Sequence, residues 1–299
     1  MKNSTIKSYL DWAPIGRKSI LLYIIGFILV IFISLILGQM FFIVGEIIIP
    51  LNSPSLNIFK FTFFSFIFSF ITIPMIIGLL HKRPWWSIAM PEKKIEFKNF
   101  LIGFFIVLSI NLILNIIGYF YDPSKYAYSG FNGYDWFSLF FLAFLAFFIQ
   151  AATEEMVYRG YISQFIFRIT KSPILVVLLS SIVFSLPHFG NITGANGIFA
   201  VLPYIEMGIM FGWLAYRSGS LWMSTGAHIA NNWFITMFVG SNLEKIHKLS
   251  LFTKISETSS PESQSISSFV YAILVIVVAE IIMKITKTRV TDKKEQLID

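Results

Sequence analysis

Apolar residues run along this chain in windows of about 20, the length a helix needs to cross the hydrocarbon core of a bilayer. Eight such windows can be placed, near residues 19–49, 58–80, 100–121, 136–168, 173–187, 198–216, 220–239 and 266–285. They predict an all-α, polytopic membrane protein of about eight transmembrane helices. The first window is long enough to tilt, or to bend near Gly38 or Gly45, before Pro50 closes it and Asn52, Ser53 and Pro54 supply a turn. Two polar stretches interrupt the pattern. Residues 81–98 carry Pro84 and Pro91 as breakers and Trp85 and Trp86 suited to the interface, which predicts a membrane-surface segment that serves as an anchor. Residues 253–268 are Ser-rich and predict a flexible outer loop.

Composition agrees with the pattern. With 56% hydrophobic and only 13% charged residues, a soluble globular class is excluded. A net charge of +7 could suit a nucleic-acid binder, but the basic residues fall in short clusters between apolar runs. The partner this distribution implies is therefore the lipid bilayer, and no nucleic-acid surface is expected. With both termini placed in the cytoplasm, 18 of the 23 Lys and Arg residues lie inside, leaving Lys60, Lys125, Lys245, Lys248 and Lys254 outside. An even number of spans fits that placement. The lack of cysteine excludes disulfides, thiolate zinc sites and a cysteine nucleophile. The first apolar run is too long for a signal-peptide core, and no lipid-attachment motif is evident, so the spans alone are expected to hold the protein in place. Abundant Ile, Phe, Lys and Asn suggest an AT-rich bacterial genome, hence the cytoplasmic membrane of a bacterium.

The fourth window runs from Trp136 straight into Glu154, Glu155 and Arg159 with no turn signal between. A charge at mid-helix costs roughly 2.5 to 3.5 kcal/mol on insertion. Pairing or a water-filled cavity must offset that cost. Glu155 and Arg159 are four apart, so they share a helix face and can form an ion pair. Glu154 lies about 100° round the helix from its neighbour, which assigns Glu155 with Arg159 to structure and leaves Glu154 for chemistry. The competing reading is that all three only mark a helix end at the headgroups.

Two further windows carry polar residues in apolar surroundings: Phe184-Ser-Leu-Pro-His188 in the fifth and His228-Ile-Ala-Asn-Asn232 in the seventh. Phe184 and His188 share a face if the helix persists, as do His228 and Asn232. A lone membrane histidine is more often a helix–helix hydrogen-bonding group than a catalyst. Two histidines, an asparagine and a free carboxylate in one short region shift that balance. For Glu154 to reach the depth of His188 and His228, the fourth helix must run, tilted, as far as Arg168.

The order E-E-x-x-x-R, F-x-x-x-H, H-x-x-x-N resembles the CAAX protease and bacteriocin-processing (CPBP, or Abi) family of intramembrane proteases, with all three motifs in order between about residues 139 and 239. The resemblance implies three parts: N-terminal helices and a cytoplasmic loop over 1–135, a catalytic helical core over 136–240, and an outer loop, last span and basic tail over 241–299. It further implies that Glu154 and His188 activate a water for attack on a peptide carbonyl, that His228 and Asn232 hold the oxyanion, and that Glu155 and Arg159 support them. The partner would be a peptide or membrane-protein substrate. The cofactor stays open between none and a divalent metal such as zinc, because Glu154, His188 and His228 would make a ligand set that catalytic zinc accepts. No H-E-x-x-H helix is present, which tilts the reading toward metal-free water activation. Two rivals are a non-catalytic relative acting as membrane regulator or bacteriocin-immunity protein, and a transporter using Glu154 and the histidines as a relay. Glu206, Glu280 and Glu46 are assigned no role, the last two reading as anchors.

Overall fold

The structure is a computed structural model that describes residues 6–48, 54–130, 133–191, 197–241, 250–255 and 260–290. Helix makes up 80% of it. After a 3-10 turn at Tyr9–Trp12, the elements are α1 (Ile20–Ile33), a π-helical stretch at Ser34–Gly38, α2 (Gln39–Ile48), α3 (Pro54–Leu79), α4 (Phe97–Tyr121), β1 (Tyr126–Tyr128) and α5 (Gly133–Glu154). A second π-helical segment, Glu155–Ile162, joins α5 to α6 (Ser163–Thr170). Then come α7 (Pro173–Ser185), α8 (Leu202–Ser218), α9 (Trp222–Met237), β2 (Val239–Ser241), β3 (Phe252–Lys254) and α10 (Pro261–Thr286).

Among the described residues five helical stretches are long and apolar enough to cross a membrane: Ile20–Gly45, Phe59–Leu79, Phe97–Tyr121, Trp136–Thr170 and Glu262–Thr286. Five by this measure, rather than eight, is the difference from the sequence expectation. The windows at 173–187, 198–216 and 220–239 do form helices, but α7, α8 and α9 have 13, 17 and 16 residues. The long helices leave large apolar side chains bare, among them Leu21, Phe32, Phe120 and Ile285. So much exposed hydrocarbon belongs in lipid, and the chain is a multi-pass membrane protein.

Two other expectations change, and a third gains internal partners. The fold is not purely helical, because β3 pairs antiparallel with β1 and parallel with β2 in a small sheet. Of residues 253–268, the described ones lie largely in regular elements: Phe252–Lys254 is strand, and α10 begins at Pro261 behind the N-cap Ser260, whose hydroxyl accepts from the Ser263 amide; residues 256–259 lie outside the described residues. The stretch 81–98 is also docked into the protein through several of its residues. Gln164, fully buried on α6, donates to the carbonyls of both Tyr9 (2.9 Å) and Ser87 (2.7 Å). Ile88 packs on Gly160, where a Cβ would come within 2.8 Å of the Ile88 carbonyl oxygen. His81 contacts the Tyr161 hydroxyl through Nε2 (2.8 Å) and the Arg17 carbonyl through Nδ1 (2.8 Å). Polar groups that the amphipathic pattern assigns to an interface are thus spent inside, tying the N-terminal turn and this segment to the π-helical segment. The expected bend near Gly38 coincides with the π-helical stretch Ser34–Gly38, while Pro50, Asn52 and Ser53 lie outside the described residues.

Two buried cores flank that segment. One gathers Val107, Leu139, Met210, Met223, Ala227 and Val275 from α4, α5, α8, α9 and α10. The other gathers Tyr9, Tyr23, Ile77, Ile88, Tyr161 and Val176. α4 and α9 cross at backbone contact, because a Cβ on Gly103 would strike the Met223 carbonyl and one on Gly226 the Phe100 carbonyl. Small residues at a membrane helix crossing allow this approach. Glu280 ties α8 to α10, accepting from Arg217 Nε (2.7 Å), Trp213 Nε1 (3.0 Å) and Arg289 (2.8 Å), a structural use in keeping with an anchor. Gly226→Ala must therefore push α4 and α9 apart. We expect a loss of about 1 to 3 kcal/mol, the usual range for overpacking, read as a lower melting temperature in detergent. An unchanged melting temperature would contradict the crossing.

Candidate functional site

The stretch Trp136–Thr170 is continuous over 35 residues, so Glu154 stands near its middle. The extension that the depth argument requires is present, although the winding changes within it. From Glu155 to Ile162 the backbone is π-helical, a rare form found mostly where function needs a side chain re-aimed.

Arg159 Nη1 donates to Glu155 Oε1 at 3.0 Å with both side chains fully buried, and Nη2 reaches the Gly208 carbonyl on α8 at 3.1 Å. The guanidinium lies 4.2 Å from the centre of the Phe184 ring and 5.4 Å from that of Phe211, so aromatic faces share the charge. Glu155 has a second partner that the i, i+4 spacing did not disclose. Its Oε1 is 3.0 Å from His228 Nδ1, while Glu154 Oε2 is 3.5 Å from His228 Nε2. Both carboxylates therefore converge on one imidazole, one at each ring nitrogen, and the division into a structural and a chemical glutamate is less clean than spacing implies. The ring stacks on Phe211 at 4.5 Å. Glu154, the more open carboxylate at 14% exposure, also accepts from Gln150 one turn earlier at 3.4 Å.

His188 comes from a different geometry than a continuing helix. α7 ends at Ser185, and a 3-10 turn, Leu186–Asn191, carries the histidine. Its ring is sandwiched between Tyr204, stacked at 4.1 Å and 8°, and Phe184 at 5.4 Å. Phe184 also meets the His228 ring at 6.1 Å and Tyr158 at 5.2 Å, so this one side chain links both histidines to Arg159 and Tyr158. Asn232 sits one turn beyond His228 on α9, half-buried, and accepts from Asn231 at 3.2 Å. Sequence reasoning passed over Gln150, Tyr158, Tyr204, Gly208 and Phe211. The signal for three of them was available: Tyr204, Gly208 and Phe211 fall at i, i+4, i+7, one face of α8.

Among the described residues no three His, Asp or Glu side chains gather with metal-ligand spacing. Glu154 faces His228 at hydrogen-bonding range, and the set Glu154, His188 and His228 is not assembled as ligands.

Comparison with known proteins follows this geometry. Residues 136–234 match the profile of the family described as type II CAAX prenyl endopeptidase Rce1-like. This segment is similar to the CAAX protease family. The match begins at the head of α5 and ends on α9 two residues past Asn232, so it contains every residue of the cluster. The chain is also similar to the uncharacterized protein YyaK of Bacillus subtilis (strain 168), at 26% identity over 175 residues, a match that spans 58% of each chain. No solved structure gives a significant match.

The buried ion pair makes a stability prediction independent of any activity. Glu155→Gln leaves the Arg159 guanidinium in the core without its carboxylate, and stability should fall by about 3 to 5 kcal/mol. Adding Arg159→Met should recover part of the loss, since the stranded charge goes with it. Thermal unfolding in detergent measures both, and a Glu155→Gln variant as stable as its parent would break the assignment.

Proposed function

We propose that this chain is an intramembrane endopeptidase in which Glu154 and His188 activate water and His228 with Asn232 holds the oxyanion. The observation that supports it best is the convergence of two carboxylates, one of them fully buried, on the two ring nitrogens of His228, halfway along a membrane-length helix and beside a second histidine. No packing requirement explains that arrangement, since burying these charges costs stability.

Glu155, charge-balanced by Arg159, accepts from His228 Nδ1 and fixes the ring. In this reading His228 Nε2 also carries a hydrogen, directed toward Glu154 and the space next to it. A peptide carbonyl entering there takes over that hydrogen, with the Asn232 amide one turn along as second donor. Water held by Glu154 and His188 adds its oxygen to the carbonyl carbon as Glu154 removes a proton. Collapse of the tetrahedral intermediate breaks the C–N bond, and the abstracted proton passes to the leaving amine. The exclusion of bulk water by Phe184, Phe211 and Tyr204 keeps these interactions strong. Arg159 positions Glu155 and touches no reacting atom.

The natural setting we infer is a bacterial cytoplasmic membrane, with a peptide or membrane-protein segment as substrate and both termini inside. α7, α8 and α9 then complete an eight-helix arrangement by packing as a group among the longer spans.

Glu154→Gln should unfold no more readily than the parent while losing cleavage altogether, and His188→Ala should behave likewise. Asn232→Ala, missing one oxyanion donor, should lose about 10²- to 10³-fold in turnover. Quantitative peptidomics of membranes expressing each form, with and without chelator, supplies the readout. Unchanged product profiles across all three variants would point to a non-catalytic member of the family.

Orientation has its own test, for which the cysteine-free chain serves as background. Glu92 and Ser124 are both exposed, on opposite sides of α4 in sequence. In intact cells an impermeant thiol reagent should modify Ser124→Cys and spare Glu92→Cys. The reverse pattern would invert the topology.

A further inference from the structure

Away from the site, α4 carries an outward ridge formed by Phe97, Leu101 and Phe105, at i, i+4, i+8, with Phe97 and Phe105 more than half exposed. A groove runs along each side of it. The larger, about 750 Å³, lies between α4 and α10, walled by Ile106, Ile110, Val278 and Ile282. The smaller, about 310 Å³, lies between α4 and α5, walled by Phe100, Phe104, Phe144 and Phe148. Both begin at Phe97; the smaller is lined by apolar side chains alone, and the larger is apolar apart from Ser109 along its length and Lys98 at the Phe97 end.

At that shared end stands Lys98. Its Nζ donates to the Thr286 carbonyl at the C-terminus of α10 (3.0 Å), which pins the ammonium across the mouth of the larger groove. An ammonium has three donors, and this bond uses one. The nearest acidic residue in sequence, Glu96, accepts from Asn99 and Ser220 instead. Lys94 and Lys287, both exposed, flank the same mouth in sequence. From Phe97 to Ile113 the groove follows about 24 Å of helix, whereas one leaflet offers roughly half of a 30 Å core. It is long enough for a whole acyl chain.

We propose that this face is a binding site for one anionic diacyl phospholipid, its two chains straddling the Phe97–Leu101–Phe105 ridge and its phosphate on Lys98. Two channels that begin together at Phe97, with the Lys98 ammonium next to it at the mouth of the larger, match two chains joined at one anionic headgroup. A free anion would have no use for the channels, and a single-chain lipid would fill only one. The site lies on the far side of α4 from Gly103, which packs on the α9 backbone near His228, so lipid there braces the helix behind the catalytic cluster.

Native mass spectrometry of the purified protein, given phosphatidylglycerol, phosphatidylcholine or single-chain lysophosphatidylglycerol of matched chain length, tests this directly. The parent protein should retain phosphatidylglycerol at least threefold better than either of the others. Lys98→Gln should remove the preference over phosphatidylcholine, and Ser109→Trp, which fills the larger groove from an exposed position, should lower retention of both diacyl lipids. Equal retention of phosphatidylglycerol and phosphatidylcholine by the parent would overturn the headgroup assignment. Equal retention of the lyso form would overturn the two-chain assignment. Both of these measurements use the unaltered protein, so neither depends on a variant folding.

Discussion

One buried carboxylate holds the centre of this protein. Glu155 has no solvent to turn to, so its charge must be met from within, and it is met from two directions: Arg159 on its own helix and His228 on α9. Taking each ion out of water costs several kcal/mol, and the cost is recovered only when geometry is good and remaining donors are used. Arg159 meets this demand by reaching the Gly208 carbonyl and lying against Phe184 and Phe211. The same few contacts therefore fix α7, α8 and α9 about the π-helical segment. Lose the carboxylate, and three helices lose their common reference.

The glycines serve this arrangement. Gly103 and Gly226 let α4 approach α9 to backbone contact, and Gly208 lets α8 approach Ser181 on α7, where an added Cβ would come within 2.8 Å of the serine Cβ. In lipid there is no hydrophobic force between helices, so close packing and polar contacts must supply the association. Here the polar contacts are gathered about Glu155, Arg159 and His228, with glycine crossings on the helices that carry them. The segment 81–98 and the N-terminal turn finish the structure from one end, clamping the π-helical segment through Gln164, Tyr161 and Gly160.

Charge placement made much of this readable before any coordinates. Ionisable residues in apolar windows are expensive enough to be informative, and four-residue spacing singled out Glu155 with Arg159. The motifs also marked Phe184, His188, His228 and Asn232, all of which lie in or beside one cluster. What spacing could not disclose was the π-helical winding, because a local change of helical period leaves no trace in a hydrophobic pattern that is apolar all round. For that reason the convergence of Glu154 and Glu155 on a single imidazole was hidden, although each carboxylate was noticed. The docking of residues 81–98 escaped for a different reason: Trp85, Trp86 and the prolines carry no signal of an internal partner, and only the structure pairs Ser87 with Gln164. The small sheet was invisible because three-residue strands carry no periodicity.

The shortness of α7 is itself an argument about where the chemistry belongs. Regular helix satisfies its own backbone, and lipid tolerates nothing else, so irregular backbone at depth survives only where protein or a watery cavity meets it. α7 gives way at Ser185 to a 3-10 turn that bears His188, Leu186 and Phe189, the last two half exposed. The long helices α3, α4 and α10 keep regular winding and offer hydrocarbon outward. The irregular stretches, π-helical at Glu155 and 3-10 at His188, come together through Phe184 instead. Departures from ideal helix and departures from apolar sequence thus coincide in space, which is the pattern expected where water has to be admitted to a membrane and kept under control.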